Sequence, residues 1–449
     1  MQRRSFGKVF RVEIAKTTPF VHQIAEIGRP SDLAGEAPDP ELGVAPLLYS
    51  SGWEQGGKPG RRRRRLPRAA SGASRSPIST STTSWSAARE AVASGWWSMG
   101  GRVAEFEAAF AEYVGARHAL AVSSGTAALH LALIACGCGP GDEVVLPALN
   151  FVAAANVVRH AGATPVFCDV RSAEDLNLDP ESVASSIGPA TKAVVVLHYA
   201  GWPCAIDAVT ELASARGVSV VEDAAHAPGA TVDGRACGTI GEIGCFSFFS
   251  NKNLAVGEGG MVVTAADGLA ETMRLNRSHG MTTLTWDRHR GHAHAYDVVA
   301  SGYNYRLDEL RAALGLVQLA RLDEHNAARA RLAGRYRELL SVLPGVTVPF
   351  GGASSRSRSA HHLQVVVLPE GVDRDAVRAG LHAERIQTSV HYPPIHRFSA
   401  FAGPDGSAAS LPVTEAIAPR LLTLPLYPTM TDAQVELVVD VLAAELARA

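Results

Sequence analysis

Lys252 is the residue in this chain best placed to do covalent chemistry. It sits in the stretch Gly244-Cys-Phe-Ser-Phe-Phe-Ser-Asn-Lys252-Asn-Leu-Ala-Val-Gly257-Glu-Gly-Gly260. From residue 85 onward the only lysines are Lys192 and Lys252, and arginine serves at nearly every other basic position. The run Cys245 to Phe249 reads as a short buried strand and Met261 to Thr264 as a second. The glycines between them let the backbone approach a ligand closely. A lysine held between two such strands loses water, which lowers its pKa and frees the amine to attack a carbonyl. A surface lysine on a hairpin is the plain alternative.

Five further residues have matching chemistry. Gly125 and Thr126 follow a predicted strand and open a predicted helix, whose free N–H groups and positive end suit a phosphate. The same Ser-Gly-Thr pattern also serves as an ordinary N-cap. Asp223 ends the apolar strand Val218 to Glu222, where a carboxylate needs a partner. A protonated pyridine nitrogen is one such partner, and the pair makes the ring an electron sink; capping the next turn is the other reading. Phe151 follows the strand Glu143 to Leu146, placed either to stack on a flat ring or to join the core. Ser247, five residues before Lys252, has a hydroxyl that can bond a phosphate. Phosphate cradle, stacking aromatic, ring-nitrogen carboxylate and amine nucleophile are together what pyridoxal 5'-phosphate requires.

The elements that must position these residues alternate. Strands are predicted at Ala119 to Val122, Glu143 to Leu146, Thr164 to Val170, Ala193 to His198 and Val218 to Glu222. Helices are predicted at Thr126 to Ala135, Val152 to His160, Pro180 to Ser186 and Ala205 to Arg216. This order means βαβ units and a mainly parallel α/β sheet covered by helices, with ligands gathering at the carboxyl ends of the strands. A helix at Gly268 to Asn276 and a His-rich loop near Thr282 to Tyr296 follow. One long helical pattern, Leu307 to Leu340, links to a smaller α+β region. That region reads as strand His362 to Leu368, helix Asp373 to Leu381, strand Gln387 to Tyr392 and helix Thr431 to Leu446.

Bulk properties narrow the class. The 449 residues carry a formal net charge of -2 with 19% charged residues, so no global charge favours nucleic acid. The six cysteines lack metal-ligand spacing and read as reduced and buried. No apolar run reaches the ~18 residues of a membrane span, and the start lacks a secretory core, which points to a cytoplasmic protein. Residues 1–84 hold the run Arg61 to Arg65 and a Ser/Thr-rich stretch, and read as a disordered extension that catalysis does not need. A natural start further along the chain is the alternative. The domain scheme is 1–84 extension, 85–340 large cofactor-binding domain with the linking helix, and 341–449 small C-terminal domain.

From about Ser94 onward the chain resembles the DegT/StrS sugar aminotransferases, fold-type-I pyridoxal-phosphate enzymes. The resemblance rests on Ser123-Ser-Gly-Thr-Ala-Ala-Leu-His130, Gly141-Asp-Glu-Val-Val, Glu222-Asp-Ala-Ala-His226, Phe246-Ser-Phe, Lys252-Asn-Leu, Gly257-Glu-Gly-Gly260 and Gly302-Tyr-Asn-Tyr-Arg306. It implies that Lys252 binds the cofactor covalently and shuttles protons, and that Asp223 pairs with the pyridine nitrogen. It further implies that Phe151 stacks on the ring, that Gly125, Thr126 and Ser247 hold the phosphate, and that His226 stands near the ring hydroxyl where Gln is usual. Asn304 is expected to reach the phosphate of a neighbouring subunit in a homodimer. His391 and Tyr392 belong to a segment that the family places at the mouth of the sugar-nucleotide site; Trp97 is a further candidate there. Similar dehydratases carry His at the position of Lys252.

The resemblance implies amino transfer from L-glutamate to a nucleotide-linked 4-keto-6-deoxyhexose at C4, a reaction of antibiotic glycosylation. Amination at C3, or of a cyclitol ketone, is the nearest alternative. A non-catalytic sensor on the same fold is the distant one, favoured only by the basic N-terminal tail.

Overall fold

The computed structural model describes residues 82–283, 295–401 and 409–448. The expected N-terminal extension, apart from its last residues, and most of the His-rich loop lie outside them. The described residues fall in one compact unit that begins at Ser71.

A seven-stranded sheet forms the centre. Its order is His118–Val122, Gly260–Thr264, Ile243–Ser247, Ser219–Asp223, Thr191–Leu197, Glu143–Pro147, Thr164–Cys168. Gly260–Thr264 pairs antiparallel with both neighbours, and all other pairings are parallel. Six strands therefore point their carboxyl ends to one edge. Alternation along each strand sends side chains to both faces. Ala193, Val195 and Val221 join the core against helix Gly125–Ala135, while Val194, Val196 and Val220 join the core against helix Ile206–Ser214. Helix Gly101–Val114 covers the same second face near Phe246, where Phe110 meets Phe246 edge-on at 4.9 Å. Full burial of such a side chain contributes about 1.5–3 kcal/mol. The amino end of that helix is capped from far away, since Glu309 accepts from the Arg102 and Val103 amides at 3.0 Å each.

The expected long helix is two helices, Glu309–Leu319 and Leu322–Leu340. The break serves two cores. Leu322 turns into the core beneath helix Gly101–Val114, and Leu332, Tyr336 and Leu340 build the C-terminal core. The expected strand Gln387 to Tyr392 does not form. Its backbone pairs only at Ser389, which exchanges bonds of 3.1 and 2.8 Å with Thr423. Pro393 and Pro394 then remove the N–H groups that further pairing needs. The partner of strand Gln364–Val367 is instead Leu421–Leu424, which was not anticipated. Helix Asp432–Leu446 closes this region behind a Thr431/Gln434 capping box. No helix among the described residues is long and apolar enough to cross a membrane.

Candidate active site

Strand Ile243–Ser247 stops at Ser247 rather than running to Phe249, and the chain turns over before returning as Gly260–Thr264. Lys252 sits in that turn, its amide donating to the Phe249 carbonyl at 2.9 Å. Its side chain lines a cavity of about 370 Å³ at the carboxyl edge of the sheet. Gly125, Thr126, Phe151, Asp223, His226, Ser247, His391 and Tyr392 line the same cavity. Nine candidates, drawn from segments as far apart as Gly125 and Tyr392, thus meet in one place.

Burial draws the Lys252 amine down to about 8, and the nearby Asp223 carboxylate only partly opposes this. Asp223 is 5% exposed. Burial raises its pKa, against the pull of the Ala225 amide, Lys252 and Asn150. Those contacts are loose: the Ala225 amide lies at 3.2 Å and Asn150 Nδ2 at 3.5 Å. The carboxylate therefore has room for a cationic partner inside the cavity. Phe151 is 57% exposed, an aromatic face turned to the site rather than to the core.

Helix Gly125–Ala135 opens at the cavity, with Ser124 Oγ accepting from the Ala127 amide at 3.1 Å. Its first turn leaves N–H groups without intrahelical partners. A Cβ on Gly125 would stand 2.8 Å from Ser247 Cβ, so only glycine keeps this approach open. His226 Nε2 and the Tyr392 hydroxyl lie 2.8 Å apart, while buried Nδ1 has no partner. Burial, with Lys252 and His391 adding to it, keeps His226 well below its ordinary pKa and neutral. His391 is pushed down to about 4 by burial and Lys252. The Tyr199 hydroxyl donates to its carbonyl, and its Nδ1 stands 2.9 Å from Thr423 Oγ1.

Amine, carboxylate, uncovered ring, orphaned imidazole nitrogen and helix terminus are the features a phosphorylated pyridine aldehyde fits. Two candidates stand apart. Trp97 is 65% exposed, lies outside this cavity and donates through its ring N–H to the Val92 carbonyl. Asn304 is exposed, also outside it, bridged by its backbone to Ser278. Its turn is tied to the site indirectly, through Ser123 N to Tyr305 O at 2.8 Å and His130 Nδ1 to the Tyr305 hydroxyl at 3.0 Å.

Asn150 and Glu258 also line the cavity and were not assigned roles from sequence, although each adjoins a motif residue. His362 packs against His226 with ring centroids 4.5 Å apart and bonds Asn253 Oδ1 at 3.0 Å. Nothing in its local sequence signals that.

A profile of the DegT/DnrJ/EryC1/StrS aminotransferase family matches residues 80–443. The chain belongs to that family. It is 43% identical to the spore coat polysaccharide biosynthesis protein SpsC of Bacillus subtilis (strain 168), over 78% of this chain and 91% of SpsC. DesI, solved in the presence of its TDP-sugar product, is 35% identical with a TM-score of 0.73, covering 82% of this chain and 90% of DesI. Spr1654 of Streptococcus pneumoniae, solved in its PLP form, is 25% identical with a TM-score of 0.77, covering 83% of this chain and 98% of Spr1654. As a member of the DegT/DnrJ/EryC1/StrS family, the enzyme is a pyridoxal-phosphate-dependent sugar aminotransferase of fold type I.

Proposed function

We propose that the enzyme transfers the amino group of L-glutamate to a nucleotide-linked keto-deoxysugar, at C4 of a 4-keto-6-deoxyhexose, as a cytoplasmic homodimer. The observation that carries the reading is Lys252, with its pKa drawn to about 8, beside the buried Asp223 and facing the helix terminus at Gly125. The TDP-sugar product bound to DesI supports a nucleotide-linked substrate.

When bound, pyridoxal phosphate supplies an aldehyde that takes up amines and a ring that withdraws electrons from the reacting carbon. The rest falls to the chain. Lys252 Nζ, neutral in a large fraction near pH 8, would hold the cofactor covalently and would carry a proton to and from the substrate carbon. Asp223 keeps a proton on the pyridine nitrogen. Phe151 covers one ring face. His226, whose buried Nδ1 has no partner in the chain, would donate to the ring hydroxyl, and its neutrality would let it do so without adding a charge. Gly125, Thr126 and Ser247 hold the phosphate, with Asn304 arriving from the neighbouring subunit. His391 and Tyr392 orient the sugar at the mouth. The test is to incubate the protein with L-glutamate and a panel of 3-keto and 4-keto nucleotide sugars and a cyclitol ketone, and to read the products by NMR. The expected product carries its new amine at C4, with one 2-oxoglutarate formed per amine. Amination at C3 or of a cyclitol ketone alone, or no amination at all, contradicts the proposal.

A further inference from the structure

A second cavity, of about 410 Å³, adjoins the first and shares Asn251 and His391 with it. Arg329, His362, Thr388, Ser389 and Thr423 contribute to its walls, and none of the described residues lining it is Asp or Glu. Arg329 is only 4% exposed. Its Nη1 donates to the Leu426 carbonyl at 2.8 Å, and its Nε is buried without a partner. Burial draws its pKa down to about 10, with no carboxylate offsetting that shift. A buried guanidinium without a counter-charge is costly, and its planar fork matches a carboxylate. His391 and His362 are both held below their ordinary pKa, which leaves Arg329 as the cation of this wall.

We propose that this cavity receives the side-chain carboxylate of the amino donor, with Arg329 as its counter-charge. The proposal rests on the aminotransferase reading above. The donor's amine must enter the Lys252 cavity, and the second cavity is reached past Asn251 and His391. A dicarboxylic amino acid has a methylene spacer that can bridge that step; a donor with only an α-carboxylate does not. The diphosphate of a sugar nucleotide is the other anion at hand, and the test separates the two.

Rapid-mixing kinetics of the holoenzyme follow each half-reaction separately, with L-glutamate, with L-glutamine as its uncharged counterpart, and with the sugar nucleotide. In Arg329→Gln, which keeps a donor for the Leu426 carbonyl, the half-saturating glutamate concentration is expected to rise at least roughly tenfold, the scale of losing a charged hydrogen bond. The limiting rate should fall far less, preference for glutamate over glutamine should vanish, and Arg329→Lys should recover part of both. Gln387, exposed at the rim of this cavity, provides a second variant. Gln387→Glu should also raise the glutamate requirement. Calorimetric titration with glutarate should show binding to the wild type that Arg329→Gln abolishes, even if glutamate proves not to be the donor. An unchanged glutamate dependence in Arg329→Gln and Gln387→Glu overturns the proposal. So does a larger shift for the sugar nucleotide than for glutamate, which would assign the cavity to phosphate.

Discussion

An amine attacks a carbonyl only when neutral, so the setting of Lys252 matters more than its presence. Its pKa of about 8 has a direct kinetic consequence. Below that value each unit of pH should cut the rate at which apoprotein captures pyridoxal phosphate about tenfold, and above it the rate should level off. Stopped-flow absorbance across pH 6–10 checks this, and a midpoint near the ordinary lysine value would mean that the amine is solvated. His226 and His391 are held low by burial, so neither should add an inflection near pH 6.5. Asp223→Asn keeps the shape and removes the charge. It should lower the limiting rate at least about 100-fold, the scale of losing one electrostatic stabiliser, with the thermal midpoint close to that of the parent. Wild-type turnover in that variant would reduce Asp223 to a turn cap.

At the scale of elements, the site depends on a helix and a hairpin approaching without a side chain between them. Gly125→Ala places a Cβ 2.8 Å from Ser247 Cβ. It should weaken cofactor binding by about 1–3 kcal/mol, the cost of an overpacked contact. Gly268, with nothing within 4 Å of an added Cβ, is the control, and Gly268→Ala should leave affinity unchanged in the same fluorescence titration. Equal behaviour of the two variants would contradict the cradle. These elements were legible in sequence because strands such as Thr191–Leu197 carry unbroken apolar runs, here Ala193 to Leu197, set off by turn residues such as Gly188 and Pro189. The segment Gln387 to Tyr392 misled because Thr388, Val390 and Tyr392 alternate in a strand-like pattern, while its extent is decided by Thr423 and the two prolines. Leu421–Leu424 was missed because four residues after Pro419 give too short a pattern. The break at Ala320-Arg321 lacks Gly or Pro, so only the demands of two cores reveal it. His362 and Arg329 reached the site through tertiary packing alone, which local pattern does not encode.

At the scale of the whole molecule, Asn304 lies outside its own chain's cavity while its turn is braced against the phosphate helix by Tyr305. Symmetric dimers are the commonest soluble oligomers. If Asn304 serves a neighbour, Asn304→Ala should weaken cofactor binding by about 1–3 kcal/mol. Mixing Asn304→Ala chains with Lys252→Ala chains should then restore part of the activity, because one site of each mixed dimer carries both lesions and the other neither. Mixtures that stay inactive despite demonstrated subunit exchange would put Asn304 to no use across the interface. The most direct measurement for the account as a whole is peptide mapping of the purified protein after borohydride reduction. The account predicts a visible absorption band that reduction removes, with pyridoxyl label fixed on Lys252. Label on Lys192, or a protein that takes up no cofactor, would contradict it.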